Sequence, residues 1–438
     1  MNSIGVKFLR QKASFYLFIL SGGLLLFNLA FSIRYMHGPM IDFRNRITGI
    51  RAWQAGYDPY FYKWKPSDPL SLLHPRELPN RIVNRTTATP SLLSLHAPLA
   101  GLYYPWARYA WWAGQFACLA LIGGLFYLRA PPENKPGIIF LALGVFPAVP
   151  GWQMHLAVGQ IYILYAAVLA AMFYFAHHPK ASWQAGGTGI LLGILIWLRP
   201  PWALLLLVLW AYRFFPVLKT TLMTLVCLAF ISWAAGAVPA WKSYFAAMDE
   251  FSREQIGEMS YSDDPREDYG VEGLIEGTDF NDFSWLEWLK VDNASVQYAA
   301  LRLFQWKMNK YQLGVGLLLA SLLWLAWGRA RAKASLAELL LLGFLWVIMA
   351  ECFLPAPRHP YNFVQWFPIL LAYWQNVEAR KWQSFSFQLM LLGLLCSLGL
   401  MRWLPDGYTI GEFLLWLGLA LYLIEERLLP NPASTSSQ

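Results

Sequence analysis

The sequence is poor in charge and in cysteine. Only 14% of its 438 residues are Asp, Glu, Lys or Arg, against roughly 25% in soluble domains. With 57% hydrophobic residues in long recurring runs, so little charge argues against a water-soluble globule and predicts a polytopic membrane protein. The four cysteines, Cys118, Cys227, Cys352 and Cys396, fall within or at the ends of apolar runs, with no C-x-x-C pair. That placement predicts neither a disulfide framework nor a zinc site. No Walker A, G-x-G-x-x-G, H-E-x-x-H or G-x-S-x-G motif stands in a usable context. Their lack argues against a pump with its own nucleotide domain and against zinc or serine hydrolysis. There is no fixed-period repeat and no stretch that reads as a soluble domain, so residues 1–438 form one integral-membrane unit.

Aromatic residues are abundant: 23 Trp, 22 Tyr and 28 Phe. They suit interfacial belts, and sugar-binding clefts use aromatic faces as well. The net charge of +8 does not call for nucleic acid, because much of the basic excess lies in short loops between apolar runs. Twelve spans are predicted, near 14–34, 106–129, 136–150, 154–176, 185–198, 201–215, 217–237, 311–328, 335–354, 361–375, 386–402 and 409–426. Several fall short of the roughly 20 residues of a straight span and are expected to be broken or tilted. The run Phe15–Ile33, preceded by Lys7, Arg10 and Lys12, is too long for a signal-peptide core, and no A-x-A site follows.

With the N-terminus in the cytoplasm, fourteen Lys and Arg fall in the inner termini and loops and three in the short outer loops. This is a positive-inside bias with both termini inside. Two long loops, 35–105 and 238–310, then lie outside. The first is basic and carries a helix candidate at 43–55, ended by Gly56 and Asp58-Pro59. Its Ser91–Tyr104 stretch reads as a re-entrant or interface-lying segment. The second is acidic from Asp249 to Asp292, either a solvated face or a lid. Its pieces Phe283–Leu289 and Tyr298–Trp306 read as short surface helices. The tail at 427–438 is expected to be cytoplasmic and disordered. Asn84-Arg85-Thr86 and Asn293-Ala294-Ser295 match the N-glycosylation triplet, a frequent chance pattern.

Polar residues collect at the outer ends of the spans. Asp42 stands just beyond the first span, where it could cap the helix that follows or serve as a general base. Arg199 precedes Pro200-Pro201 at a membrane edge, where an arginine either snorkels or meets an anion such as a lipid phosphate. Arg358-His359-Pro360-Tyr361 offers an Arg beside a His, suited to hold and protonate a phosphate leaving group. His155 and Gly159-Gln160 sit near another outer end, with Gln160 free to hydrogen-bond a neighbour or a sugar.

Several stretches together resemble the polyprenyl-phosphate-sugar-dependent membrane glycosyltransferases of the GT-C superfamily, in particular glycosyltransferase family 87. They are Asp42-Phe43, Ala55-Gly56-Tyr57-Asp58-Pro59-Tyr60, Ala97-Pro98-Leu99-Ala100, Val158-Gly159-Gln160-Ile161-Tyr162-Ile163-Leu164, Gly189–Gly193 running into Leu198-Arg199-Pro200, and Tyr361-Asn362. The resemblance implies an all-α GT-C-like fold and inverting transfer on the outer face of a bacterial inner membrane. It makes Asp42 the base, places Arg199, Arg358 and His359 at the donor phosphate, and His155, Gln160, Tyr60 and Tyr361 near sugar or acceptor. The implied donor is a sugar, mannose or another, on a polyprenyl phosphate, and the acceptor is a lipid or glycan hydroxyl. Ala88-Thr89-Pro90-Ser91 stands where the family often has Tyr-Pro-Pro, and one acid stands at position 42 where some relatives carry two. A single acid does not favour a divalent metal, and no cofactor is expected. The rival readings are a transporter or flippase for lipid-linked or anionic solutes, and a diphosphate-dependent glycan polymerase or ligase.

Overall fold

The computed structural model describes residues 3–38, 40–73, 86–255, 294–329, 334–353, 358–376, 384–399 and 407–428. Most of the acidic second loop, the tail, and the asparagines of both glycosylation triplets lie outside these. Among the described residues the regular structure is helical throughout. Five helices are long and apolar enough to cross a membrane: Phe15–Met36, Tyr104–Arg129, Ala181–Leu198, Phe215–Ala234 and Gly407–Glu425. Lys135–Ala148 and Pro150–Val158 make a sixth candidate, bent by 61°. Four shorter apolar helices, Tyr162–Ala176, Pro200–Ala211, Tyr311–Leu322 and Phe385–Ser397, lie among them.

The expected apolar segments are largely helical, but among the described residues five helices and one bent pair, not twelve segments, are long and apolar enough to cross, and the predicted span at 361–375 is a 3-10 helix, Pro360–Trp366, followed by a short α-helix, Phe367–Asn376. The predicted span at 154–176 is two helices, not one. Its first residues belong to Pro150–Val158, and the chain turns at Gly159, which takes φ +70°, before Tyr162–Ala176 begins. Apolarity runs unbroken through this corner, so periodicity could not reveal it. The preceding segment breaks for visible reasons: Pro147 and Pro150 each remove a backbone donor. It also widens into a π turn at Phe140–Val145 that packs on the first helix, α1, Ser3–Ser32.

The chain runs back and forth between two ends. At one end Arg129 lies over the Tyr174 ring at 4.4 Å, Asn134 donates to the carbonyl of Gln375 at 3.1 Å, and Ser386 donates to Glu425 at 2.6 Å. The starts and stops of the opposite ends carry the polar residues considered below. There the first loop folds into two helices, α2 (Ile41–Gln54) and α3 (Pro90–Ala100), which pack on each other. Arg51 pins them by donating to the carbonyls of Ala100 and Leu102, each at 2.8 Å. α3 starts on a Thr89 cap, with Pro90 in its first turn.

Thr89 and Ser91 also reach out of the loop. Their hydroxyls donate to the carbonyls of Leu198 and Trp197, at 3.0 and 2.6 Å. These are orphan acceptors at the end of Ala181–Leu198. Two short side chains thus tie the loop that carries Asp42 to the helix that ends at Arg199.

Candidate active site

Asp42 is not a helix cap. α2 begins one residue earlier, on Met40 in a left-handed conformation with φ 42° and no side-chain cap. Asp42 falls in the first turn, where the helix dipole favours an acid. Its carboxylate accepts a hydrogen bond of 2.5 Å from Gln160 Nε2. The corner that breaks the predicted span therefore delivers Gln160 to Asp42. His155 supports the corner from beneath. It is fully buried, stacked parallel on Trp152, and its Nε2 accepts the Ile163 amide at 3.3 Å.

Two residues beyond Gln160, Tyr162 leads to the second half of the site. The Arg199 guanidinium sits 4.8 Å from the Tyr162 ring centre and 5.9 Å from that of Tyr165. Tyr361 stacks on Tyr162 at 5.8 Å, and His359 packs on Tyr361 at 5.1 Å. Asp42, Tyr162, Arg199, His359 and Tyr361 are half-buried. They form the accessible rim of one cluster.

Beneath the rim lies a buried ion network. Arg199 donates to Glu351 through Nε at 2.7 Å and Nη2 at 2.6 Å. Glu351 also accepts from Arg358. Arg358 makes a two-pronged pair with Glu412, at 3.0 and 2.5 Å, and Trp366 donates to the same carboxylate at 2.9 Å. Two arginines and two glutamates balance in charge. The Arg358 side chain is only 1% exposed, and its guanidinium is taken up by the two glutamates. The arginine expected at a phosphate is thus placed as the support of Glu351. Arg199 is 22% exposed, which leaves it facing outward. Burial alone would lower the Arg199 and Arg358 pKa values. Glu351 beside the first, and Glu412 with Glu351 beside the second, hold both well above the ordinary arginine value.

Tyr60 stands apart from the rim. It is fully buried, donates to the Ala88 carbonyl at 2.7 Å, and meets Tyr244 edge-on at 5.7 Å. Burial raises its pKa, so it acts here as a neutral strut of the first loop.

A groove of about 450 Å³ adjoins the Arg199 end. Ile196, Trp197 and Pro200 line it on one side, Leu222, Leu225, Val226 and Ala229 on the other, and Trp241 closes it. Its walls are almost wholly apolar, and Phe230 and Ile231, next along the helix from Ala229, are both more than half exposed. Among the described residues no group of three His, Cys, Asp or Glu is placed to hold a metal ion.

Residue reasoning missed Glu351 and Glu412. The signal was present: each is a lone acid in an apolar run, MAECF and IGEFL, and such acids usually have a partner. The chain matches no protein-family model, no curated protein and no solved structure.

Proposed function

We propose that the protein is an inverting glycosyltransferase that moves a sugar from a polyprenyl phosphate to a lipid or glycan hydroxyl at the outer face of a bacterial inner membrane. In this reading the five long helices, the bent pair, the four shorter apolar ones, and the helices Leu336–Cys352 and Phe367–Asn376 make twelve crossings, as in GT-C enzymes. Both termini are cytoplasmic. The observation that carries the reading is an acid and an arginine brought to one rim by a single stretch of chain: Gln160 holds Asp42, and two residues on Tyr162 stacks on Tyr361 and carries Arg199 over its ring.

That arrangement suits a displacement. The acceptor O–H gives its proton to Asp42 as its oxygen bonds to the anomeric carbon. The bond from that carbon to the phosphate oxygen breaks on the opposite face, inverting the centre. Arg199 meets the charge that gathers on the departing phosphate, and His359, packed on Tyr361 at the same rim, donates to that phosphate as well. The tyrosine pair offers an aromatic face to the sugar. The apolar groove beside Trp197 and Pro200 takes the first units of the lipid chain, so that phosphate and chain are bound side by side.

The test is transfer from a radiolabelled polyprenyl-phosphate sugar, by wild type and Asp42→Asn at matched expression. Loss of the base is expected to lower the rate by about 10²–10⁴-fold. Equal transfer by the two would remove Asp42 from the chemistry.

One observation favours the transporter reading. The 61° break between Ala148 and Pro150 makes a discontinuous helix, a device that transporters use at their binding sites. Flipping of a lipid-linked sugar in vesicles without product formation would select that reading.

A further inference from the structure

We propose that Arg46 is a positioning residue, which acts on the reaction through Asp42 and the Gly159–Gln160 corner without touching substrate. This rests on the reading above. Arg46 lies four residues after Asp42 on α2, hence on the same face of the helix. It is 6% exposed, and so out of reach of a ligand on the rim.

Its donors all point inward. Nε donates to His96 Nε2 at 3.3 Å, and Nη2 donates to the carbonyl of Gly159. That carbonyl also accepts from Trp111 Nε1 at 3.2 Å, and Gln115 donates to the next carbonyl, that of Gln160, at 3.1 Å. A helix that ends at Val158 leaves such carbonyls without helical partners. Arg46 therefore joins the helix bearing the acid to the corner bearing the acid's hydrogen-bond donor. If the corner drifts, Gln160 leaves Asp42.

Titratable groups face it from several elements. Arg46 is faced by Asp42 on α2, by His96 on α3, by Tyr104 on the helix Tyr104–Arg129 (α4), and by Tyr162 and Tyr165. His155 is near as well. Asp42 is the one carboxylate of that set. His96 cannot compensate for loss of the arginine. Its Nδ1 meets the Leu92 carbonyl at 2.7 Å, so the proton sits there and Nε2 is left to accept from Arg46.

The experiment uses full-length protein in native membranes, with tritiated mannose on polyprenyl phosphate as donor and membrane lipid as acceptor. Initial rates are followed over a range of donor concentrations for Arg46→Gln and Arg46→Lys, each with and without Asp42→Asn. Arg46→Gln is expected to lower kcat by about 10- to 100-fold, as for loss of hydrogen bonds to a charged group, with KM little changed. Arg46→Lys keeps a donor and the charge, so it recovers part of kcat. In the Asp42→Asn background neither substitution costs more. Losses that add to that of Asp42→Asn, or a loss seen in KM and not in kcat, would make Arg46 structural only and overturn the assignment alone. A wild type that transfers nothing, or an intact Asp42→Asn, overturns the functional reading and the assignment with it.

Discussion

Gln160 and Asp42 are 118 residues apart in the chain and 2.5 Å apart in space. This bond is what makes a lone acid beyond the first span into part of a site. It holds one carboxylate oxygen in place.

The first prediction concerns that bond. Gln160→Leu keeps the size of the side chain and removes the donor. A hydrogen bond to a charged group contributes about 1.5–3 kcal/mol. Transfer is expected to fall by roughly 10- to 100-fold with little change in thermal stability, measured on detergent-solubilised protein beside the rate assay. Full activity in this variant would show that Asp42 is oriented by other groups.

Gly159 offers a second test. It takes φ +70°, and a Cβ there would lie 2.5 Å from the Cβ of Phe43 and 3.0 Å from that of Met40. Both belong to the start of the Asp42 helix. Gly159→Ala combines a left-handed backbone penalty with overpacking and is expected to cost about 2–4 kcal/mol. The midpoint of thermal unfolding should drop, and activity should fall further than stability alone explains, because the clash pushes α2 off the corner.

Much of this layout was legible in the residues. Apolar runs located nearly every helix, because a 20-residue hydrophobic stretch has few other uses. Asp42, Gln160, Arg199, His359 and Tyr361 stood out as polar residues at span ends, and the structure gathers them into one cluster. The corner at Gly159 was not legible as a break, since residues on both sides are equally apolar and only the positive φ marks it. Nor was the division of labour between the arginines. Sequence places Arg199 and Arg358 alike before prolines, and only the positions of Glu351 and Glu412 decide which one is closed off. Tyr60 read as a site residue only through the resemblance of the stretch Ala55-Gly56-Tyr57-Asp58-Pro59-Tyr60. Its hydroxyl instead satisfies a carbonyl inside that loop.

The buried network gives a third prediction. Glu412→Gln leaves Arg358 with a single carboxylate, and breaking a buried pair costs about 3–5 kcal/mol. Arg358→Met with Glu412→Leu removes both charges of the pair together. It should be less destabilising than Glu412→Gln alone, as a double-mutant cycle of unfolding midpoints would show. Glu351 stays paired with Arg199 in that double variant. Strict additivity would mean the Arg358–Glu412 contact carries no coupling.

The groove makes a prediction about substrate length. Ala229 is an exposed residue of its wall, so Ala229→Trp should fold normally while filling the space. If the lipid chain lies there, KM for a long polyprenyl donor should rise by about tenfold, equivalent to ~1.4 kcal/mol. A donor with a very short chain should be unaffected. Equal effects on the two donors would place the chain elsewhere.

Acid stability follows from His96. Burial, then the neighbouring Arg46 charge, lower its pKa from 6.5 to about 3. The folded protein therefore refuses a proton that the unfolded chain accepts below pH 6.5. Stability is complete above that value and is lost as the pH falls from 6.5 toward 3. For this residue alone the loss by pH 5.5 is about 1.4 kcal/mol. His96→Gln keeps an acceptor for Arg46 and does not titrate. The drop in unfolding midpoint between pH 7.5 and 5.5 should therefore be smaller in His96→Gln than in wild type. An equal drop in the two proteins would mean that His96 gains a proton in the folded state, and that the Arg46–His96 hydrogen bond does not persist in solution.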